Sequence, residues 1–336
     1  MMRVGLVYDL RDDYRSLGFS EEAIAEFDSP ETIDALGKAL AGQGFAVERI
    51  GHIRALAARL VAGERWDFVV SIAEGLRGRS REAQVPALLE AYDVPYAFSD
   101  PLTMAVTLDK AVAKSLVRDA GLPTAPFAVI ESEAEALAVD LPFPVFAKPI
   151  AEGTGKGCGR TSLAGDRARL AKVAARLRRG YAQPVLVEPY LPGREFTVGI
   201  VGSGAAAEIV AVLEIELLTN AEAGVYSLSN KELCDDRVRY RLADDAEARA
   251  AGEVALGAYR ALGCRDVGRV DLRSDDAGRP QFLEVNPLPG LHPTHSDLPI
   301  LAALAGVSYP ALIGRIVESC LIRVPAARGR RRRVAA

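Results

Sequence analysis

The chain has 336 residues, 49% of them apolar, and a formal net charge of −4. That length predicts two or three domains with sizeable cores, and the mild acidity gives no general reason to expect a nucleic-acid partner. Cys158, Cys234, Cys264 and Cys320 lack paired spacing, which suggests neither a zinc site nor a disulfide framework and fits a reducing cytoplasm.

Met1-Met2-Arg3 runs directly into an apolar stretch, Val4 to Tyr8, so no leader is expected and residues 3–8 read as a buried strand. No apolar run approaches the ~20 residues that cross a bilayer, so no membrane partner is expected. Residues 9–28 read as a polar, acidic loop carrying Asp12, Asp13, Glu21, Glu22 and Glu26. Ser29-Pro30-Glu31 is a helix start, and the helix runs to about Ala41, where Gly42-Gln43-Gly44 ends it. Phe45 to Ile50 and Phe68 to Ile72 are the next strands. This alternation predicts a parallel α/β layer at the N-terminus, ending near residue 100.

A helix is expected over about Thr103–Ala120, then strands at Ala125–Ile130 and Val145–Pro149. Glycines follow at 153, 155, 157 and 159. Their bare backbone N–H groups can approach a phosphate closely. Lys156 is followed by Gly157, so this is not a P-loop, and no Gly-x-Gly-x-x-Gly opens a helix. The stretch reads as a flap between strands that closes over a triphosphate. A helix covers about Asp166–Arg179, and Val185–Pro189 is another strand carrying Glu188; Glu195 follows seven residues later. One of these carboxylates can accept from an adenine amino group, the other from ribose hydroxyls. A pair of exposed acids on a strand and turn is the plainer alternative.

Asp266–Leu272 and Gln281–Val285 flank a turn-rich stretch and predict a hairpin. Side chains two apart share a face. Arg269 with Asp271, and Glu284 with Asn286, therefore each point one way, and if the faces coincide their oxygens suit Mg²⁺ carrying nucleotide phosphates. An ordinary salt-bridged hairpin is the competing account. Only seven lysines occur, Lys38, Lys110, Lys114, Lys148, Lys156, Lys172 and Lys231, in a chain whose positive charge is otherwise arginine. Each retained lysine is a better functional candidate than usual, Lys38 and Lys172 excepted. Of the histidines, His52 stands alone, and His292 and His295 suit loop structuring or substrate lining. No Ser/His/Asp or Cys/His set is apparent.

Taken in order, the motifs resemble the ATP-grasp ligases, and among them the D-alanine–D-alanine ligases. The resemblance covers roughly residues 66 to 320. It rests on Ala73-Glu74-Gly75 with Arg81 to Glu90, Leu108-Asp109-Lys110, Lys148-Pro149 with the Glu152-Gly153 loop, Glu188 to Val198, Asn230-Lys231, Gly268 to Asp271, and Glu284 to Leu291. It implies an N-terminal α/β domain over 1–100, ATP-grasp subdomains over 101–192 and 193–325, and a basic tail over 326–336. It implies amide-bond formation between two amino acids through an acyl phosphate, with ADP and phosphate released, in a cytoplasmic enzyme that can form a homodimer. Lys110 and Lys148 would contact the ATP phosphates, with Glu152, Gly153, Thr154 and Gly155 in the lid. Glu188 and Leu191 would line the adenine site and Glu195 the ribose. Asp271, Glu284 and Asn286 would hold two Mg²⁺, Lys231 would reach the γ-phosphate, and Arg269 and the N–H of Gly290 would stabilise the oxyanion. Ser296 would hold the acceptor carboxylate. The chain departs from the family at residues 9–28, at Thr154 in place of Ser, and at Glu232 in place of Tyr; that loop and Glu232 are expected to give an anionic amino-acid pocket. These departures leave open a specialised ligase with non-alanine substrates, or a nucleotide-binding regulator without catalysis.

Overall fold

The computed structural model describes residues 1–221 and 234–324, and for Cys234 and Asp235 the backbone alone. Lys231, Glu232 and the basic tail lie outside the described residues.

Strands β1 (Arg3–Val7), β2 (Ala46–Gly51) and β3 (Phe68–Ser71) form a parallel sheet in the order β2-β1-β3, as the alternating pattern predicts. The helix Pro30–Gly42 covers it. Ser29 caps that helix by accepting from the Thr32 N–H at 3.4 Å, and Pro30 sits where no N–H is needed. The core beneath includes Leu6, Ile33 and Leu36, together with Leu298, Leu312 and Ile316 from the C-terminal helices Asp297–Leu304 and Tyr309–Leu321. Among the described residues no single helix is long and apolar enough to cross a membrane.

Residues 9–28 are not the polar loop expected. Arg11–Ser16 is helical, Ile24 and Phe27 are buried, and the Arg11 guanidinium donates to the carbonyls of Phe27 (2.6 Å) and Ala25 (2.7 Å). Its aromatic and aliphatic side chains decide the outcome: Tyr14 packs on Phe27 and Phe19, and burying them outweighs the solvation of the acids between.

The helix expected over Thr103–Ala120 is two helices, Pro101–Leu108 and Lys110–Asp119. Asp109 is extended (φ −86°, ψ 101°), and its carboxylate accepts from the N–H groups of Ala111 and Val112 at 3.1 Å. An aspartate competes well for free N–H groups, so it restarts the helix rather than continuing it. Lys110 thereby becomes the first residue of the new helix.

A four-stranded sheet follows, in the order β4-β7-β5-β6, from β4 (Ala128–Ile130), β5 (Val145–Pro149), β6 (Leu163–Ala164) and β7 (Val185–Pro189). The strand expected from Ala125 begins only at Ala128, because Pro126 has no N–H to give a ladder. Between β4 and β5 lies a helix with no counterpart in the sequence reading, Glu133–Ala138, closed by a Ser132–Glu135 capping box. The helix Arg167–Tyr181 packs on this sheet, capped by Asp166.

The third sheet is antiparallel, β10-β9-β8-β11-β12, built from β8 (Glu195–Val201), β9 (Glu208–Leu217), β10 (Val238–Leu242), β11 (Val267–Ser274) and β12 (Pro280–Asn286). The helix Ala246–Ala261 backs it with a row of buried alanines, Ala248, Ala251, Ala255 and Ala258, so helix and sheet approach closely.

Candidate active site

The hairpin β11–β12 forms as its alternation predicts. Arg269 stands opposite Asn286, and Asp271 opposite Glu284, so the four side chains share one face, while Val270 and Leu272 enter the core behind. The Asp271 carboxylate accepts from Arg269 at 2.9 and 3.0 Å, from the Thr197 hydroxyl at 2.6 Å and from the Asn286 amide at 3.3 Å. Arg269 also lies 3.6 Å from Asp297. Burial opposes its charge, but Asp271 and Asp297 outweigh burial and raise its pKa, so it is a permanent cation.

Directly opposed residues of an antiparallel pair have Cβ atoms about 5 Å apart. Two carboxylates and an amide at that spacing offer hard oxygens, which fits Mg²⁺ shared with phosphates. No group of three or more Asp, Glu, His or Cys side chains placed to hold a metal ion occurs among the described residues, so Asn286 and the nucleotide would have to complete any coordination shell.

Three lysines gather beside this face. Lys110 Nζ is 3.2 Å from Glu284 and also donates to the Glu152 carbonyl. Lys148, on β5, is 2.7 Å from Glu188 on β7, and Lys114 reaches the other oxygen of the same carboxylate at 2.8 Å. Burial alone would raise the Glu188 pKa, but the two ammonium groups hold it down to about 2. For Lys114 burial prevails and its pKa is lowered; for Lys148 the fields of Glu188 and Glu284 prevail over burial and its pKa is raised. Lys114 received no role from the sequence. Its signal was spacing: four residues after Lys110 on a helix, it shares that residue's face.

Between the second and third sheets is a cavity of about 110 Å³, lined by Phe146, Lys148, Glu188, Leu191, Glu195 and Arg273, among others. Glu195 is paired there with Arg273 at 3.3 Å, and Arg273 also donates to the Tyr190 hydroxyl at 3.0 Å.

The glycine-rich stretch is a run of turns between β5 and β6, with Thr154, Gly155 and Gly157 all at positive φ. Its position is set by Glu26. That carboxylate accepts from the Gly153 N–H at 2.8 Å, from Lys156 at 3.0 Å and from Arg81 at 3.0 Å, and Lys156 is also paired with Glu152. Of the five acids expected to make the pocket anionic, only Glu26 is buried in it; Asp12, Asp13, Glu21 and Glu22 are exposed. A side chain at 153 would place its Cβ 2.2 Å from a Glu26 oxygen. Gly153→Ala should therefore break a charge-assisted bond worth about 1.5–3 kcal/mol and lower the melting temperature. An unchanged melting temperature would show that Glu26 moves aside at no cost.

A larger cavity, about 430 Å³, adjoins the hairpin face and is lined by Lys110, Thr154, Arg269, Glu284, Gly290 and Ser296, with His292 and His295 at its wall. Ser296 Oγ accepts from the His292 N–H at 3.0 Å and leaves no room for a Cβ on Gly290, which would lie 2.7 Å from it. The imidazole Nδ1 of His292 accepts from the Thr294 N–H at 3.3 Å, a loop-structuring contact. Every expected site residue among the described residues lines one of the two cavities.

Residues 116–318 match the family described as D-ala D-ala ligase C-terminus. An uncharacterized protein of Sinorhizobium fredii, y4sG, is 36% identical over 258 residues, which is 75% of this chain and 74% of that one. A D-alanine–D-alanine ligase of Marinobacter nauticus is 35% identical over 294 residues, 85% of each chain. Among solved structures, the D-alanine–D-alanine ligase of Bacillus anthracis complexed with ATP superposes with a TM-score of 0.70 at 22% identity, covering 96% of this chain and 98% of that one. The VanG D-Ala:D-Ser ligase of Enterococcus faecalis superposes with a TM-score of 0.72 at 19% identity, covering 95% and 99%.

Proposed function

We infer the reaction from one premise: the chain belongs to the D-alanine–D-alanine ligase family and is an ATP-dependent ligase. The proposed reaction joins two amino acids. A carboxylate oxygen of the first attacks the γ-phosphorus of ATP, ADP leaves, and an acyl phosphate forms. The amino nitrogen of the second attacks the acyl carbon, phosphate leaves with the C–O bonding pair, and the nitrogen loses a proton to give the amide.

The observation that carries this reading is the single face bearing Arg269, Asp271, Glu284 and Asn286, with Lys110 3.2 Å from Glu284. Phosphoryl transfer between anions needs fixed positive charge more than a nucleophilic side chain. Asp271, Glu284 and Asn286 would hold Mg²⁺, which when bound neutralises the triphosphate and the transferring group. Lys110 and Lys148 supply fixed cations for the phosphates. Glu188 orients Lys148 and, with Leu191, borders the adenine site; Glu195 would meet the ribose by sharing Arg273. Glu152, Gly153, Thr154 and Gly155 form the lid. Arg269 and the Gly290 N–H would receive the oxyanion as it develops, a step in which preformed donors are worth several kcal/mol. Lys231 is assigned the γ-phosphate and Ser296 the acceptor carboxylate. A substrate outside the D-alanine pair is favoured by the acidic wall of the larger cavity. A non-catalytic regulator is disfavoured, since it would have no need to keep both carboxylates, Arg269 and Asn286 on one face. Cys158, Cys264 and Cys320 are not joined in disulfides, which fits a cytoplasmic site of action.

The test is turnover with a panel of D- and L-amino acids, with nucleotide products and condensed products identified by mass. ADP and phosphate are expected in equal amounts to dipeptide. AMP with pyrophosphate, or nucleotide turnover without a condensed product, would overturn the proposal.

A further inference from the structure

One end of the larger cavity holds carboxyl groups that the proposed chemistry does not use. Glu26, Asp28, Glu74 and Glu82 face it, with Glu152 beside Lys156. The charges that meet them are Arg11, Arg81 and Lys156. Arg81 and Lys156 are committed to Glu26 at 3.0 Å each, and Lys156 to Glu152 as well. Arg11 donates to two backbone carbonyls, and Lys110 is held by Glu284. With Glu31, which lines the same cavity, six carboxyls thus stand against these three cations.

Glu82 is the sharper observation. It is only 9% exposed, lines the cavity, and its carboxylate has neither a hydrogen bond nor an ion pair among the described residues. Glu74, its neighbour in the cavity wall, has none either. Buried carboxylates are ordinarily paired, and the oxygens of Glu74 and Glu82 are not among the sealed polar atoms of the interior, so they are open to whatever enters the cavity. No three-donor metal cluster exists here among the described residues to account for them.

We propose that Glu74 and Glu82 form a subsite for a second positive group, a side-chain ammonium or guanidinium on the amino acid whose carboxylate is activated. An α-ammonium can meet one of these acids, whereas Glu74 and Glu82 both line the cavity without a hydrogen bond or ion pair among the described residues. The proposal rests on the ligase reading, since the cavity that contains these acids also contains Arg269, Gly290 and Lys110. It narrows that reading from amino acids in general to basic ones. Without such a partner, burial, reinforced by the neighbouring acids, pushes Glu74 well above the carboxylate range; for Glu82 burial outweighs the field of Arg81 and brings it to about 7. Asp28, where burial outweighs Arg11, reaches about 8. Binding a cation ionises such groups, so it releases protons near neutral pH.

The experiment compares ornithine and lysine, of both chiralities, with norleucine, a neutral chain of similar length, in the ATP-dependent reaction. The basic substrates are expected to have kcat/KM at least tenfold higher than norleucine. Glu82→Gln and Glu74→Gln should each reduce that ratio about tenfold. In parallel, calorimetry of ornithine binding in two buffers of different ionisation enthalpy should show net proton release at pH 6.5, reduced in Glu82→Gln. Equal use of norleucine, or a ratio that neither variant moves, overturns the subsite. If no amino acid yields ADP, the ligase reading fails, and the calorimetry still decides the subsite: no proton release on binding, or no binding, refutes it.

Discussion

Glu284→Gln is expected to lower kcat at least tenfold, a barrier increase of ~1.4 kcal/mol or more, while circular dichroism and the melting curve stay close to those of the parent. Two causes converge on that residue. It would lose a charged oxygen from the set on the hairpin face, and it would release Lys110, now 3.2 Å away. Magnesium titration separates them. If Glu284 is a ligand, the half-saturating Mg²⁺ concentration rises in the variant. If it only steadies Lys110, KM for ATP rises and the magnesium requirement does not. A variant that keeps more than about a tenth of kcat shows that Glu284 is not a principal ligand. Asp271→Asn should be at least as damaging, because Asp271 also anchors Arg269 at 2.9 and 3.0 Å.

The hairpin was legible because strand geometry is unforgiving. A period of two places residues 269 and 271, and 284 and 286, on fixed faces, and a short turn leaves few registers. The parallel N-terminal sheet was legible for a similar reason, since apolar strands alternating with a helix have few other ways to bury themselves. What failed was local competition and long-range pairing. At Asp109 nothing in the surrounding run of helix formers outweighs continuation until the capping bonds to Ala111 and Val112 are seen. In residues 9–28 the acids dominate the composition, while Tyr14, Ile24 and Phe27 govern the packing. The partners of Glu26 lie 55, 127 and 130 residues away, at Arg81, Gly153 and Lys156, and no periodicity reports contacts of that separation. Individual assignments, such as Ser296 or Leu191, came through resemblance; their own chemistry is too common to single them out.

Glu188→Gln should cause the larger loss of stability. The carboxylate is buried between Lys114 at 2.8 Å and Lys148 at 2.7 Å, and the Lys114 side chain has no exposed surface. Removing its charge leaves two ammonium groups facing each other in the interior. Breaking a buried pair from one side costs about 3–5 kcal/mol, a large part of the 5–15 kcal/mol that holds a typical protein folded. The pH dependence follows from the signs. The folded pKa of Glu188, about 2, lies below its unfolded value of 4.5, so its contribution is present above pH 4.5 and fades as the pH falls toward 2. The gap between parent and variant should close over that window. In the variant Lys114, already pushed down by burial, loses its counter-charge and falls further. A lysine depressed when folded binds fewer protons than when unfolded, so the variant should regain stability as the pH rises toward 10. Adding Lys114→Met to Glu188→Gln removes one of the two stranded charges and should restore part of the melting temperature, a coupling that independent sites do not show. A loss below about 1 kcal/mol in Glu188→Gln, in the range of exposed ion pairs, would mean that water reaches these lysines and that the triad does not organise the cleft.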